Sequence, residues 1–117
     1  MSTIYTRKAM DPLDPSGGYR VLVEREWPEK LQNIFVHADI WLKDLAPSKT
    51  LADWFNHDPQ RWTEFKTRYF AELSHQQEAI SKLLAELKKG PLTLLNTSND
   101  AEHDQSVALQ EYLNQQS

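Results

Sequence analysis

No cysteine occurs in the 117 residues, which excludes disulfides, zinc–thiolate sites and cysteine nucleophiles. Glycine is scarce as well, with three, and no G-x-G-x-x-G, phosphate-binding loop or G-x-S-x-G elbow is present. No apolar run approaches the roughly 18 residues of a membrane span, and the start, MSTIYTRKAMDP, carries no apolar signal region. An excess of basic charge is missing too: 13 Lys and Arg stand against 17 Asp and Glu, a net of −4. That argues against a nucleic-acid-binding surface and leaves room only for a local cationic site. The four histidines, His37, His57, His75 and His103, fall on no metal-ligand spacing. The expectation is a cytoplasmic protein with no metal, cofactor, nucleic-acid partner or membrane attachment.

What is present suffices for one core, hence a single domain over residues 1–117. Thr3 to Lys8 reads as a short strand, followed by a turn-rich loop or flap over 10–18 that holds two of the three glycines. Tyr19 to Glu26 is the clearest strand, with Val21 and Val23 on one face and Arg20, Leu22 and Glu24 on the other. Pro28 ends it. Asp39 to Leu45 reads as a further strand before Ala46-Pro47, with a helical turn as the alternative.

From Ser48 the spacing becomes helical. Ser48 is a candidate cap for a helix carrying Leu51, Trp54 and Phe55. Asp58-Pro59 is a second cap and first position, and Trp62, Phe65, Tyr69 and Leu73 form one stripe beyond it. The aromatic stripe Trp54, Phe55, Trp62, Phe65 and Tyr69 reads as core rather than as a base-stacking surface. Ser74 to Gln77 has the form of a capping box, opening a helix that presents Ile80, Leu83, Leu84 and Leu87. Lys88-Lys89-Gly90-Pro91 stops it. Leu92 to Leu95 is a buried strand, and Asn99 with Glu102 three residues later predicts the start of a last helix with a frayed tail over 114–117. The fold class predicted is therefore α/β, a small, mostly parallel sheet of three or four strands flanked by four to five helices.

Ligand sites in such sheets collect where strands end. The candidate catalytic groups are His103 and His57, as acid–base residues that titrate near neutral pH. The candidate ligand-binding groups are Arg20, Arg25, Lys43, Ser48 and Asp100. For each a plainer role is open: cross-strand ion pairs for Arg20 and Arg25 with Glu24 and Glu26, a helix-junction bond for His57, dipole complementation for Asp100.

The blocks RVLVEREWP (20–28), DIWLKDLAPS (39–48), WFNHDPQRWTEFKTRY (54–69), EL (72–73), GPLTLL (90–95) and the D-x-E-H of Asp100 to His103 appear in this order. Over roughly Ile4 to Leu113 the chain resembles the YeaO-like branch of the bacterial domain-of-unknown-function family DUF488. The resemblance implies a small cytoplasmic α/β protein and supplies no activity. Departures fall near the strand ends. The family's V-D-R-L-W-P-R-G is here Val23 to Lys30, with Glu26 and Glu29 in place of apolar and basic residues. Near the last strand Asn99 and Gln105 stand where the family has a Lys and a His. Two functional readings follow. One is a small anionic ligand bound at the C-terminal ends of the strands, with enzymatic activity left open. The alternative is a non-catalytic protein–protein interaction module that keeps the fold without the ancestral site. Either is read as a monomer or weak homodimer.

Overall fold

The computed structural model describes residues 3–9, 15–25, 38–56, 58–96 and 103–116. Four strands, β1 (Ile4–Lys8), β2 (Tyr19–Leu22), β3 (Ile40–Trp41) and β4 (Leu92–Asn96), form one sheet in the order β1-β4-β2-β3. All pairings are parallel, with Ile4 opposite Leu92, Tyr19 opposite Leu92 and Val21 opposite both Leu94 and Ile40. Among the described residues there are four α-helices, α1 (Lys49–Phe55), α2 (Trp62–Leu73), α3 (Gln77–Lys89) and α4 (Gln105–Gln116). The α/β class with a parallel sheet is thus observed.

The apolar run Leu92 to Leu95 is buried along its whole length, as a central parallel strand requires. Val21, Val23, Leu92 and Leu94 face the helices and join Phe55, Phe65, Tyr69, Leu83 and Leu109 in the main core. Leu22 and Leu95 point the other way into a smaller cluster with Ala9. Gly18 is required by its turn: its φ is 71°, and a Cβ there would stand 2.2 Å from the Pro91 carbonyl oxygen. That approach sets the register, because Tyr19 N donates to the same oxygen at 3.0 Å.

Several local expectations are met by the geometry. Ser48 caps α1 by accepting from Leu51 N, and Asp58 accepts from Gln60 N with Pro59 at the first position of a 3₁₀ turn. On α2, Phe65, Tyr69 and Leu73 are buried, and Phe55 stacks on Phe65 at 4.3 Å between ring centroids. Trp54 and Trp62 of the same stripe are only half-buried.

Four expectations are corrected. Strand β2 ends at Leu22 rather than Glu26, because the chain bends after Val23 N makes its bond to Leu95 O. The segment 39–45 is a two-residue strand followed by a 3₁₀ turn over Lys43–Leu45, so each of the two readings holds for half of it. No capping box forms at Ser74: its hydroxyl donates back to Ala71 O at 2.6 Å and closes α2, while α3 starts after Gln76 without a side-chain cap. The last helix starts at Gln105, not near Asn99, with Asp104 accepting from Ser106 N at 2.9 Å. It continues through Gln116, the last described residue. Of the loop 10–18, residues 15–17 form a 3₁₀ turn whose Gly17 carbonyl accepts from Thr93 Oγ1; 10–14 lie outside the described residues.

Candidate functional site

In this strand order the chain leaves β2 toward β3, while α4, which follows β4, packs on β1 and β4. The two segments diverge beyond the C-terminal ends of the central strands, where a crevice opens in sheets of this kind. A cleft of about 290 Å³ is lined by Arg25, which follows β2, with Asp44, Ala46, Ser48, Tyr69, Glu72, Leu73, His75 and Gln76, and by no described residue of β4 or α4. Its walls come from the bend after β2, the corner before α1, and the last turn of α2.

Three polar side chains of the cleft, Arg25, Tyr69 and Glu72, are bonded to one stretch of backbone. Tyr69 OH donates to Leu45 O. Arg25 donates from Nη2 to Ala46 O at 2.9 Å and from Nε to Pro47 O at 3.0 Å. Glu72 accepts from Ser48 N at 2.8 Å and from Ser48 Oγ at 2.6 Å. Ser48 Oγ in turn accepts from Leu51 N at 3.2 Å. Three successive carbonyls and the next available N–H are therefore satisfied by side chains from three other places in the sequence. The reason lies in the segment itself: Pro47 has no N–H, and a corner running into a helix start has no ladder partner to offer.

Electrostatics point the same way. Burial, followed by the carboxylates of Asp104 and Glu72, pushes the Tyr69 phenol well above its ordinary value, with Arg25 opposing. Tyr69 is thus a neutral donor, unsuited to act as a base. Among the described residues that line the cleft, Arg25 is the one Lys or Arg, against two carboxylates, Asp44 and Glu72, with His75 beside them.

A family model described as "Inactive DUF488-N3 subclade" matches residues 3–117. The chain belongs to this DUF488 family. Uncharacterised YeaO of Escherichia coli is 35% identical over 110 residues, covering 94% of this chain and 96% of that protein. Uncharacterised proteins of Mycobacterium tuberculosis and Mycobacterium bovis are each 34% identical over 107 residues, covering 92% of this chain and 90% of theirs. No solved structure matches.

Of the described residues singled out in sequence, this DUF488 fold brings Arg25 and Ser48 together at the cleft and sets Arg20, Lys43 and His103 apart from it. Arg20 is buried in the middle of β2, on the side of Leu22 and Leu95, and its N–H donates to Asp39 Oδ2 at 2.8 Å. Lys43 is exposed at the start of its 3₁₀ turn and does not line the cleft. His103 does not line it either: it precedes the capping Asp104 and sets its ring edge-on to Trp62, 5.4 Å between centroids. His57 and Asp100, like Glu26, Glu29 and Asn99, lie outside the described residues. Gln105 donates to Val23 O at 3.1 Å, tying the start of α4 to the end of β2.

Sequence reasoning missed Tyr69, Glu72 and His75 as site residues. Tyr69 was assigned to the core, which is where its ring is; its hydroxyl is the part that reaches the corner. Glu72 carried a signal, an acid three residues after a core aromatic on the same helix face. Behind the cleft Asn96, Ser106 and Asp104 form a buried chain, Asn96 Nδ2 to Ser106 Oγ at 2.8 Å and Ser106 Oγ to Asp104 Oδ2 at 2.6 Å. Among the described residues no group of acids and histidines could hold a metal ion, and no helix is long and apolar enough to cross a membrane.

Proposed function

We propose that this chain is a non-catalytic DUF488 protein that retains the family fold as an interaction module. The observation that carries the reading is the commitment of Arg25, Tyr69 and Glu72 to the Leu45–Ser48 backbone. A guanidinium with two of its nitrogens on carbonyls, and a carboxylate with both oxygens filled, hold structure rather than substrate. The subclade's description as inactive agrees with this. The competing reading is a small anion gripped by Arg25. It has in its favour an arginine in the wall of a concave strand-end site, and against it the two carboxylates that share the cleft.

Thermal unfolding of wild type and Arg25→Gln separates the two, each with phosphate and with sodium chloride at matched ionic strength. On the structural reading Arg25→Gln costs about 1–2 kcal/mol, the worth of partly exposed charge-assisted bonds, and phosphate shifts neither protein beyond the salt control. A variant as stable as wild type, with phosphate stabilising only the wild type, would overturn it, since binding residues are commonly replaced without loss of stability.

A further inference from the structure

Because the strands are parallel, β2, β3 and β4 begin on one edge of the sheet, and α3 ends there too, since Gly90-Pro91 leads straight into β4. A second cleft, of about 410 Å³, lies on this edge and shares no residue with the first. Two chain segments that line it, Gly18-Tyr19 and Gly90-Pro91, are joined by the bond from Tyr19 N to Pro91 O at 3.0 Å. Nothing stands within 4 Å of the point where a Cβ of Gly90 would be, so the space over that residue is open. Two acids complete the walls. Asp39 is fixed just before β3, its N–H donating to Arg20 O and its Oδ2 accepting from Arg20 N, both at 2.8 Å. Glu86 belongs to the last turn of α3, and its side chain is only 24% exposed.

Three kinds of group here favour positive charge. The carboxylates of Asp39 and Glu86 are the first. An aromatic ring, Tyr19, is the second. The third is the C-terminal end of α3, a 13-residue helix whose last carbonyls carry partial negative charge. Gly90 after it is extended and makes none of the back-bonds with which Asn56 and Ser74 close α1 and α2. Desolvation, followed by Glu86 and Asp39, raises the Tyr19 phenol above its ordinary value, so both acids act on the same side chain.

The geometry points to a binding site for an organic ammonium group, the end of a lysine side chain or of a free alkylamine, taken up between Asp39 and Glu86 beside the Tyr19 ring. A metal ion is the poorer fit, because among the described residues no three acids or histidines come together. An ammonium group asks less: three donors that two carboxylates and helix carbonyls can accept, and a charge that an aromatic ring attracts. Lys89 is the resident competitor. Its Nζ stands 3.5 Å from Glu86 Oε1, yet its side chain is 74% exposed, so it gives up that contact at little cost. The site stands whether or not Arg25 is committed to the Leu45–Ser48 corner.

The test is an NMR titration with butylammonium chloride, followed at the amides of Gly18, Tyr19 and Gly90, against sodium chloride at the same ionic strength. Saturable shifts are expected with butylammonium alone. Glu86→Gln and Asp39→Asn are each expected to weaken binding about two- to fivefold, the worth of a partly exposed ion pair, and Lys89→Gln to tighten it by a similar factor. Should Asp39→Asn disturb the start of β3, the opposite effects of Glu86→Gln and Lys89→Gln carry the test, since both residues lie on one helix end. A blocked tripeptide, Gly-Lys-Gly, distinguishes the source: tighter binding than butylammonium means a lysine of a partner protein, weaker binding a free amine. Shifts no larger than those in sodium chloride overturn the assignment. So does a Glu86→Gln variant that binds as well as wild type, or a Lys89→Gln variant that binds no better.

Discussion

Replacing Tyr69 by Phe isolates one hydrogen bond in the corner that the cleft is built on. The ring keeps its place: it is fully buried and packs on Phe65 with centroids 5.5 Å apart, and phenylalanine fills the same volume. What is lost is the donor to Leu45 O, which belongs to a residue with no exposed surface. A stranded buried carbonyl together with the lost bond costs about 1–3 kcal/mol. For a chain of this length that corresponds to a fall in Tm of roughly 4–12 °C. Alkaline pH supplies a second, independent signature. The folded phenol resists ionisation because of burial first and the nearby Asp104 and Glu72 second, whereas an unfolded tyrosine loses its proton near pH 10. Above that pH the unfolded wild type holds one proton fewer than the folded, so wild-type stability falls as pH rises, by up to about 1.4 kcal/mol per unit. Tyr69→Phe has no such proton to lose. Its deficit, measured by denaturant titration at neutral pH, should therefore shrink between pH 10 and 11. Equal stability at neutral pH, or a deficit that stays constant or grows with alkalinity, would refute the placement of Tyr69 as a buried donor.

Substitutions at three further positions probe other parts of the frame. Gly18→Ala should cost more than about 2 kcal/mol in denaturant titration, because positive φ and the Pro91 carbonyl both reject a Cβ. Asp104→Ala should cost about 2–4 kcal/mol, through the lost cap of α4 and the stranded Ser106, while Asp104→Asn, which keeps an acceptor, costs less; far-UV dichroism on heating shows whether α4 melts first. Trp62→Ala should cost about 3 kcal/mol, the low end for a buried aromatic, since the ring is half-buried. Its NMR spectrum should show the His103 ring protons moving, because the indole no longer stands against them.

Much of the helical part was legible because its signals are local. The spacing of Trp62, Phe65, Tyr69 and Leu73 is a property of one turn repeated, and the caps at Ser48 and Asp58 bond residues two or three positions away. The stretch Leu92 to Leu95, three leucines and an uncharged threonine, likewise announces a strand covered on both faces, since a half-exposed strand would carry charged or strongly polar residues at alternate positions. The family resemblance extended this reading to the whole chain without adding an activity.

Where local signals competed, packing chose between them. Asn99 and Ser74 each had the form of a helix cap, yet the observed cap of α4 is Asp104, joined through Ser106 to Asn96 at the end of β4. The short β3 and the turn after it depend on bonds across 21 to 24 residues, from Arg25 and Tyr69 to the carbonyls of Leu45, Ala46 and Pro47. No window of sequence contains both ends of such a bond. The same separation decided the cleft: Arg25 and His103 each follow a central strand, but one turns onto the α1 corner while the other turns onto Trp62. By itself the sequence determined which segments are helix and strand, because propensity, capping and apolar periodicity act within a few residues. The strand order, the true helix start and the company each polar side chain keeps were decided only in three dimensions, where a buried donor or acceptor must find its partner wherever the chain brings one.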